Sequence, residues 1–351
     1  MFYLIFINLL QLFSQMTKDN SFFRLHSLSI PVRGAKASII SDLQKEIFIQ
    51  IPNILYDVLD VNFHNNFSIQ RLKNYFHNNF SSGIVKYFDF LEKNNIGFFT
   101  DSPFLFKEIK TDHIIPNQIT NSILEISERS NYNLEEILWE LEGLGVISVE
   151  IRIAQSVSIL EIKNCLSKFN ESTIKAFNII IHCELQENIL LIYDLLIEIN
   201  RINKIFIYSS QCKRSFDLNH SNRIVFINEG LSERKIENKV SFVCNLLAFC
   251  EAQNNNLALN KKVCIDKNGN IKNYLSHKQV FGNIQKDRLL QVISKDSFRV
   301  IWQISNDRIE KCKDCQYRFM CFSCSEINFE DNNKIYRTQQ CSFNPFNNIW
   351  H

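Results

Sequence analysis

Five cysteines crowd between Cys312 and Cys341 of a 351-residue chain, and their spacing is that of metal ligands. Cys312 and Cys315 form one C-x2-C pair, Cys321 and Cys324 form a second, and Cys341 follows after a further loop. A tight turn lets two thiolates at that spacing converge on one metal while the turn's amides hydrogen-bond the sulfurs. Four thiolates suit either tetrahedral zinc or the corners of an iron–sulfur cluster, because both are soft-ligand sites. Spacing does not choose between them, and zinc is the simpler. None of the eleven cysteines lies before Cys165. A disulfide framework would spread pairs through a small secreted domain, so this distribution points to metal.

Other catalytic groups were sought at the ends of apolar, strand-like runs. VISVEIRI ends at Arg152, AFNIIIHC at His182 and Cys183, and KIFIYSS at Ser209 and Ser210. A lone histidine beside a strand end is more often structural than catalytic, and no partner acid stands at a telling spacing. His182 and Cys183 are the weak candidates this leaves, and no residue is assigned a catalytic role. The sequence contains no G-x-G-x-x-G, no P-loop and no G-x-S-x-G, which removes the sequence basis for nucleotide binding or serine hydrolysis. Lys plus Arg (39) nearly cancel Asp plus Glu (37), so the summed field offers nucleic acid no general attraction.

The elements that must carry these residues fall into four segments. Residues 1–20 are an N-terminal extension whose apolar run of about a dozen residues is short of the roughly 20 a membrane span needs. It lacks the flanks of a secretory signal, and Met16 is an alternative start to Met1. Residues 21–110 read as a winged-helix-like module. AKASIISDLQKEIFIQIP alternates around a turn at Asp42 to Glu46 as a hairpin does. NILYDVLD, SIQRLKNYF opened by Ser68, and SSGIVKYFDFLEKNNIGFFT follow as three helices. Such a module either packs as a small domain or adds an extended peptide strand to its hairpin edge. Within residues 111–245, from about Leu141, strands alternate with helices, which predicts a parallel β/α sheet whose site lies at the carboxyl ends of its strands. Residues 246–351 hold the cysteine cluster.

CKDCQYRFMCFSC, the following CSFNPF and the upstream VCIDKNGNIKNYLSHKQVFGNI together resemble the SPASM domain at the C-terminus of peptide-modifying radical-SAM enzymes. That domain binds auxiliary 4Fe-4S clusters. SIPVRGAKASIISDLQKEIFIQIPNILYDVLD, GNIKN and CKDCQYRFMC resemble more closely the SPASM-domain peptide maturases of grasp-with-spasm systems, over nearly the whole chain from about Phe22. The resemblance implies an α/β protein: a winged-helix-like recognition module, a central partial β/α barrel of radical-SAM type, and a SPASM-like domain. Two departures bear on mechanism. A radical-SAM enzyme needs C-x3-C-x2-C after its first barrel strand, whereas Arg152, Ala154 and Gln155 follow the run read as that strand, and the motif occurs nowhere. Cleavage of S-adenosylmethionine is therefore not expected, and the β/α region is read as a pseudo-radical-SAM fold. The family's first auxiliary cluster uses cysteines placed about Gly269, but Tyr274 holds the later position, Cys250 is too far upstream and Cys264 too near. The second uses C-x2-C-x5-C plus a distant cysteine, matching Cys312, Cys315, Cys321 and Cys341 and leaving Cys324 as an alternative ligand or an unligated thiol.

What the resemblance implies is maturation of a ribosomally made, post-translationally modified peptide in the cytoplasm. The chain would bind the precursor peptide and assist an ATP-grasp ligase as a non-catalytic partner. One 4Fe-4S cluster, or zinc in its place, would hold the cysteine segment, with no nucleic acid and no membrane involved. The alternative is an enzyme making a non-radical modification of the same peptide. A nucleic-acid-binding regulator ranks last, because phosphate contacts need clustered Lys and Arg.

Overall fold

The structure is a computed structural model that describes residues 18–76, 81–112, 115–153, 157–182, 189–208, 223–227, 242–322, 325–330, 334–338 and 341–351. The first 100 residues build β1 (Phe22–Leu25), β2 (Ser29–Val32), β3 (Ala37–Asp42), β4 (Ile47–Pro52), α1 (Asn53–Asn65), α2 (Ile69–Tyr75), α3 (Ser81–Lys93) and β5 (Gly97–Thr100). The expected hairpin is β3–β4, paired from Asp42↔Ile47 to Ala37↔Pro52. The residues before it add a strand that the periodicity did not flag: β2 pairs antiparallel with β3, giving a sheet ordered β2-β3-β4. Gly97–Thr100, read from sequence as the tail of the third helix, is instead a strand paired with β1. The three helices form as expected, with the Ser68 hydroxyl accepting from Arg71 N at the start of α2. Their apolar faces close over Phe23, Ile40, Ile51 and Phe88, which share one core.

The middle of the chain is β6 (Asn121–Ile126), α4 (Leu134–Gly143), β7 (Ser148–Ile153), α5 (Ile159–Ser167), β8 (Ala176–His182), α6 (Ile189–Glu198), β9 (Ile202–Tyr208) and β10 (Ile224–Ile227). Asn133 caps α4, its side chain accepting from Glu135 N and Glu136 N, with both acids placed in the first turn where the helix dipole favours them. Strands β6 to β10 are parallel neighbours in sequence order. With right-handed crossovers that order puts α4, α5 and α6 on one face of the sheet, and their apolar residues share its core. Along β7, Val149, Ile151 and Ile153 are buried in that layer, while Ser148, Glu150 and Arg152 alternate to the other face.

The remainder comprises α7 (Leu246–Ala252), β11 (Lys262–Ile265), β12 (Asn270–Lys272), β13 (Gly282–Asn283), α8 (Leu289–Ile293), α9 (Asp296–Arg299), β14 (Ile327–Phe329), β15 (Ile335–Arg337), β16 (Phe343–Asn344) and β17 (Ile349–Trp350). Strand β11 returns to the central sheet beside β6, parallel to it, and β12 and β13 extend it antiparallel. The result is a mixed α/β protein around an eight-stranded, mostly parallel sheet ordered β10-β9-β8-β7-β6-β11-β12-β13. Among the described residues this sheet is open, with edges at β10 and β13. Among the same residues no helix is long and apolar enough to cross a membrane.

Strand β6 corrects the sequence reading of the first parallel strand. NSILEI precedes VISVEIRI and pairs with it, so Arg152 belongs to the second strand of the sheet. The loop after the first strand is residues 127–133, SERSNYN, which also contains no cysteine. It is tied down by Ser130 Oγ donating to Lys267 O at 2.9 Å and by Tyr132 OH donating to Glu125 O. Short runs such as NSILEI carry few apolar positions, and burial between β7 and β11 makes this one a strand.

Candidate metal centre

Cys312 and Cys315 sit on a tight turn that the backbone builds by itself. Lys311 takes a positive φ of 66°, Lys313 N donates to Ile309 O at 2.9 Å, and Cys315 N donates to Cys312 O at 3.0 Å. The turn is anchored behind, where Ile309 bridges Ile335 and Glu310 N donates to Ile335 O at 2.8 Å. Beyond Cys315 a turn of 3-10 helix at Arg318–Met320 brings the chain back to Cys321, which bridges Phe242 antiparallel. Cys341 leads into the β16–β17 hairpin, whose Phe343 and Trp350 pack on Tyr317. Three separate stretches of the last 40 residues therefore deliver sulfur to one place.

That place is a cavity of about 970 Å³ lined by Cys312, Cys315, Cys321 and Cys341 together. Cys315 is deepest. Its pKa lies well above the ordinary thiol value, first because burial penalises the thiolate and then because the sulfurs of Cys321, Cys312 and Cys341 repel it, against a lowering hydrogen bond from the Tyr317 backbone. The eight described cysteines carry thiols rather than disulfides. Four thiolates on one cavity repel one another, and a cation bound between them would offset that repulsion. Arg318, Arg337 and Lys311 also line the space and would offset the charge of a thiolate-bound centre. Asn306, 4% exposed, donates through Nδ2 to Arg318 O and Cys321 O, and its Oδ1 is a buried acceptor with no hydrogen-bond partner among the described residues.

The donor set thus fits a soft metal group. Among the described residues no three His, Cys, Asp or Glu side chains converge closely enough to hold a single ion. Cys324 lies outside the described residues.

The other sequence candidates are elsewhere. His182 ends β8, and Cys183, Ser209, Ser210, Ala154 and Gln155 lie outside the described residues. Arg152 is ion-paired with Glu150 at 2.7 Å and hydrogen-bonded to Tyr274, on the sheet face away from the helices. Cys264 is fully buried in β11, its Sγ donating to Asn273 O at 3.4 Å, and burial pushes its pKa to about 12. Cys250 is buried on α7, and Gly269 makes the positive-φ turn between β11 and β12. Reading the sequence missed Asn306, Arg318 and Tyr317. The aromatic and basic residues inside the C-x5-C spacer, QYRFM, were the available signal for the last two.

No family model matches the chain, and no curated protein is similar enough to match it.

Proposed function

We propose that the chain takes part in maturing a ribosomally made peptide, as a cytoplasmic partner that binds the precursor and presents it to an ATP-grasp ligase. In this reading residues 21–110 are a winged-helix-like recognition module, the central sheet is a pseudo-radical-SAM scaffold that does not cleave S-adenosylmethionine, and the last segment is SPASM-like. Cys312, Cys315, Cys321 and Cys341 hold one 4Fe-4S cluster, zinc being the alternative, with Cys324 as a spare ligand. Such a cluster supplies rigid cross-linking of three chain segments; none of the proposed binding steps is routed through it.

The observation that carries the reading is the terminal strand of the N-terminal sheet. Among the described residues β3 is the one strand that pairs with β4, which ends the sheet order. An extended peptide adds to such an edge through main-chain hydrogen bonds, with side-chain pockets setting specificity. The cysteine centre supports the reading through the cavity that Cys312, Cys315, Cys321 and Cys341 line together.

The test is anaerobic purification of the full chain followed by metal and sulfide analysis, then a search of the neighbouring genes for a short precursor peptide and an ATP-grasp enzyme and titration with that peptide, the absence of both genes counting against the reading. Binding should slow amide exchange in β4, and ligation by the neighbouring ATP-grasp enzyme should depend on this chain. Absence of binding, or ligation that runs equally well without it, would remove the function; zinc without iron or sulfide would replace the cluster. A mass change in peptide treated with this chain alone would instead support a non-radical modifying enzyme.

A further inference from the structure

The N-terminal sheet does not merely lie in the same chain as the cysteine centre; it is seated on it. Val32, Ile39 and Leu43 of the β2–β3 region share a core with Cys244, Phe249, Tyr317, Met320 and Phe343. The loop between β2 and β3 is fixed to the first cysteine turn by backbone: Ala35 N donates to Asp314 O at 2.8 Å. Arg318 Nη1 donates both to Arg33 O at 2.5 Å and to Cys315 O at 3.0 Å, while its Nε meets Asp307 at 2.6 Å. Gly34 backs onto Gln316 so closely that a Cβ there would stand 2.4 Å from Ala37 O and 2.7 Å from Gln316 Oε1. Gln316, fully buried, donates onward to Asn348 Oδ1 at 2.7 Å in the hairpin that follows Cys341. Tyr317 packs on Phe48 of β4, ring centroids 5.4 Å apart.

Residues 314–318 therefore serve two structures at once. They contain Cys315 and begin the five-residue spacer to Cys321, and they are the seat of the β2–β3 loop and of Phe48 in β4. Five residues reach at most about 18 Å when extended and far less when turned, so the seat cannot stay fixed while its sulfurs wander. With four sulfurs ligated, the same residues are pinned at both ends.

We infer that loading of the cysteine centre latches the N-terminal sheet: the ligated turn fixes Gln316, Tyr317 and Arg318, and through them the β2–β3 loop and the β4 edge. The inference rests on the reading that these cysteines hold metal, and not on peptide binding.

Hydrogen exchange on the full chain tests it, comparing protein reconstituted anaerobically with ferrous iron and sulfide, the same protein stripped with a chelator, and a zinc-loaded sample. Stripping should speed exchange of amides in residues 30–52 at least tenfold while those of β6 to β9 stay within twofold. In Gly34→Ala, which breaks the seat from the side away from the thiols, iron content should persist while residues 30–52 exchange fast whether or not metal is present. Equal exchange at 30–52 in loaded and stripped wild-type protein would overturn the latch, as would a rise spread evenly over the central sheet. A chain that takes up neither iron nor zinc would overturn the latch together with its metal premise. Loaded protein that shows the exchange difference but binds no precursor peptide would keep the latch and remove the peptide reading.

Discussion

Tyr317→Ala tests whether the N-terminal sheet and the cysteine segment share one core. Tyr317 is 1% exposed and touches four rings from three parts of the chain: Phe48 at 5.4 Å, Phe242 at 4.8 Å, Phe343 at 5.1 Å and Trp350 at 6.1 Å. Truncating a buried aromatic to alanine costs about 3–5 kcal/mol, and each lost ring pair adds to its area burial. Because its neighbours hang on separate backbones, the site has several ways to loosen but no single side chain that can fill the gap. We therefore expect the free energy of opening at β3 and β4 amides to fall by about 3–5 kcal/mol, roughly a hundredfold to a few thousandfold in exchange rate. Native-state hydrogen exchange reads this residue by residue. Phe104→Ala is the control, since Phe104 is 70% exposed and its loss should cost less than about 0.5 kcal/mol. A change below about fivefold at β3 and β4 in Tyr317→Ala would refute the shared core, because those strands would then stand without the aromatic cluster.

Asp42 gives a pH dependence of definite sign. Burial alone would raise its pKa, but hydrogen bonds from Lys45 and Gln44 and the Lys45 charge outweigh it and hold the group below the ordinary carboxylate value. A depressed folded pKa gives stability that is present above the unfolded value near 4 and is lost as pH falls through the folded one. Urea titrations at falling pH should show this loss in the wild type, and Asp42→Asn should remove it while costing about 1–2 kcal/mol at pH 7. Glycine substitutions should split in sign. Gly143→Ala, at the end of α4 with nothing within 4 Å of an added Cβ, should stabilise by about 0.5–1 kcal/mol, whereas Gly34→Ala should destabilise by more than about 1 kcal/mol, both read as thermal midpoints.

The hairpin from Ala37 to Pro52 was legible because apolar, Ile-rich runs flank a turn capped by Asp42, although β3 is buried along its whole length rather than alternating. The strands β7 to β10 were legible as apolar runs of β-branched residues, and α2 declares itself by Ser68, whereas α4 and its Asn133 cap were not read. Strands β2, β5 and β6 were not. β5 and β6 have four and six residues, and each is a strand because a partner far away in sequence supplies hydrogen bonds, while the four residues of β2 pair with β3 across a short loop. Propensity over so short a window cannot outweigh that context.

By itself the sequence determined the chemistry on offer: five thiols at ligand spacing, the C-x2-C turn, and the absence of any C-x3-C-x2-C. These are local properties, fixed by residue type and by the reach of a few bonds. Only the tertiary structure decided that Cys341 faces the same cavity as Cys312, and that Arg318 and Asn306 enclose it. It also decided that the first sheet of the chain rests on its last cysteines. Those facts depend on segments roughly 20 to 300 residues apart burying apolar surface against one another, and no spacing along the chain encodes which faces will meet.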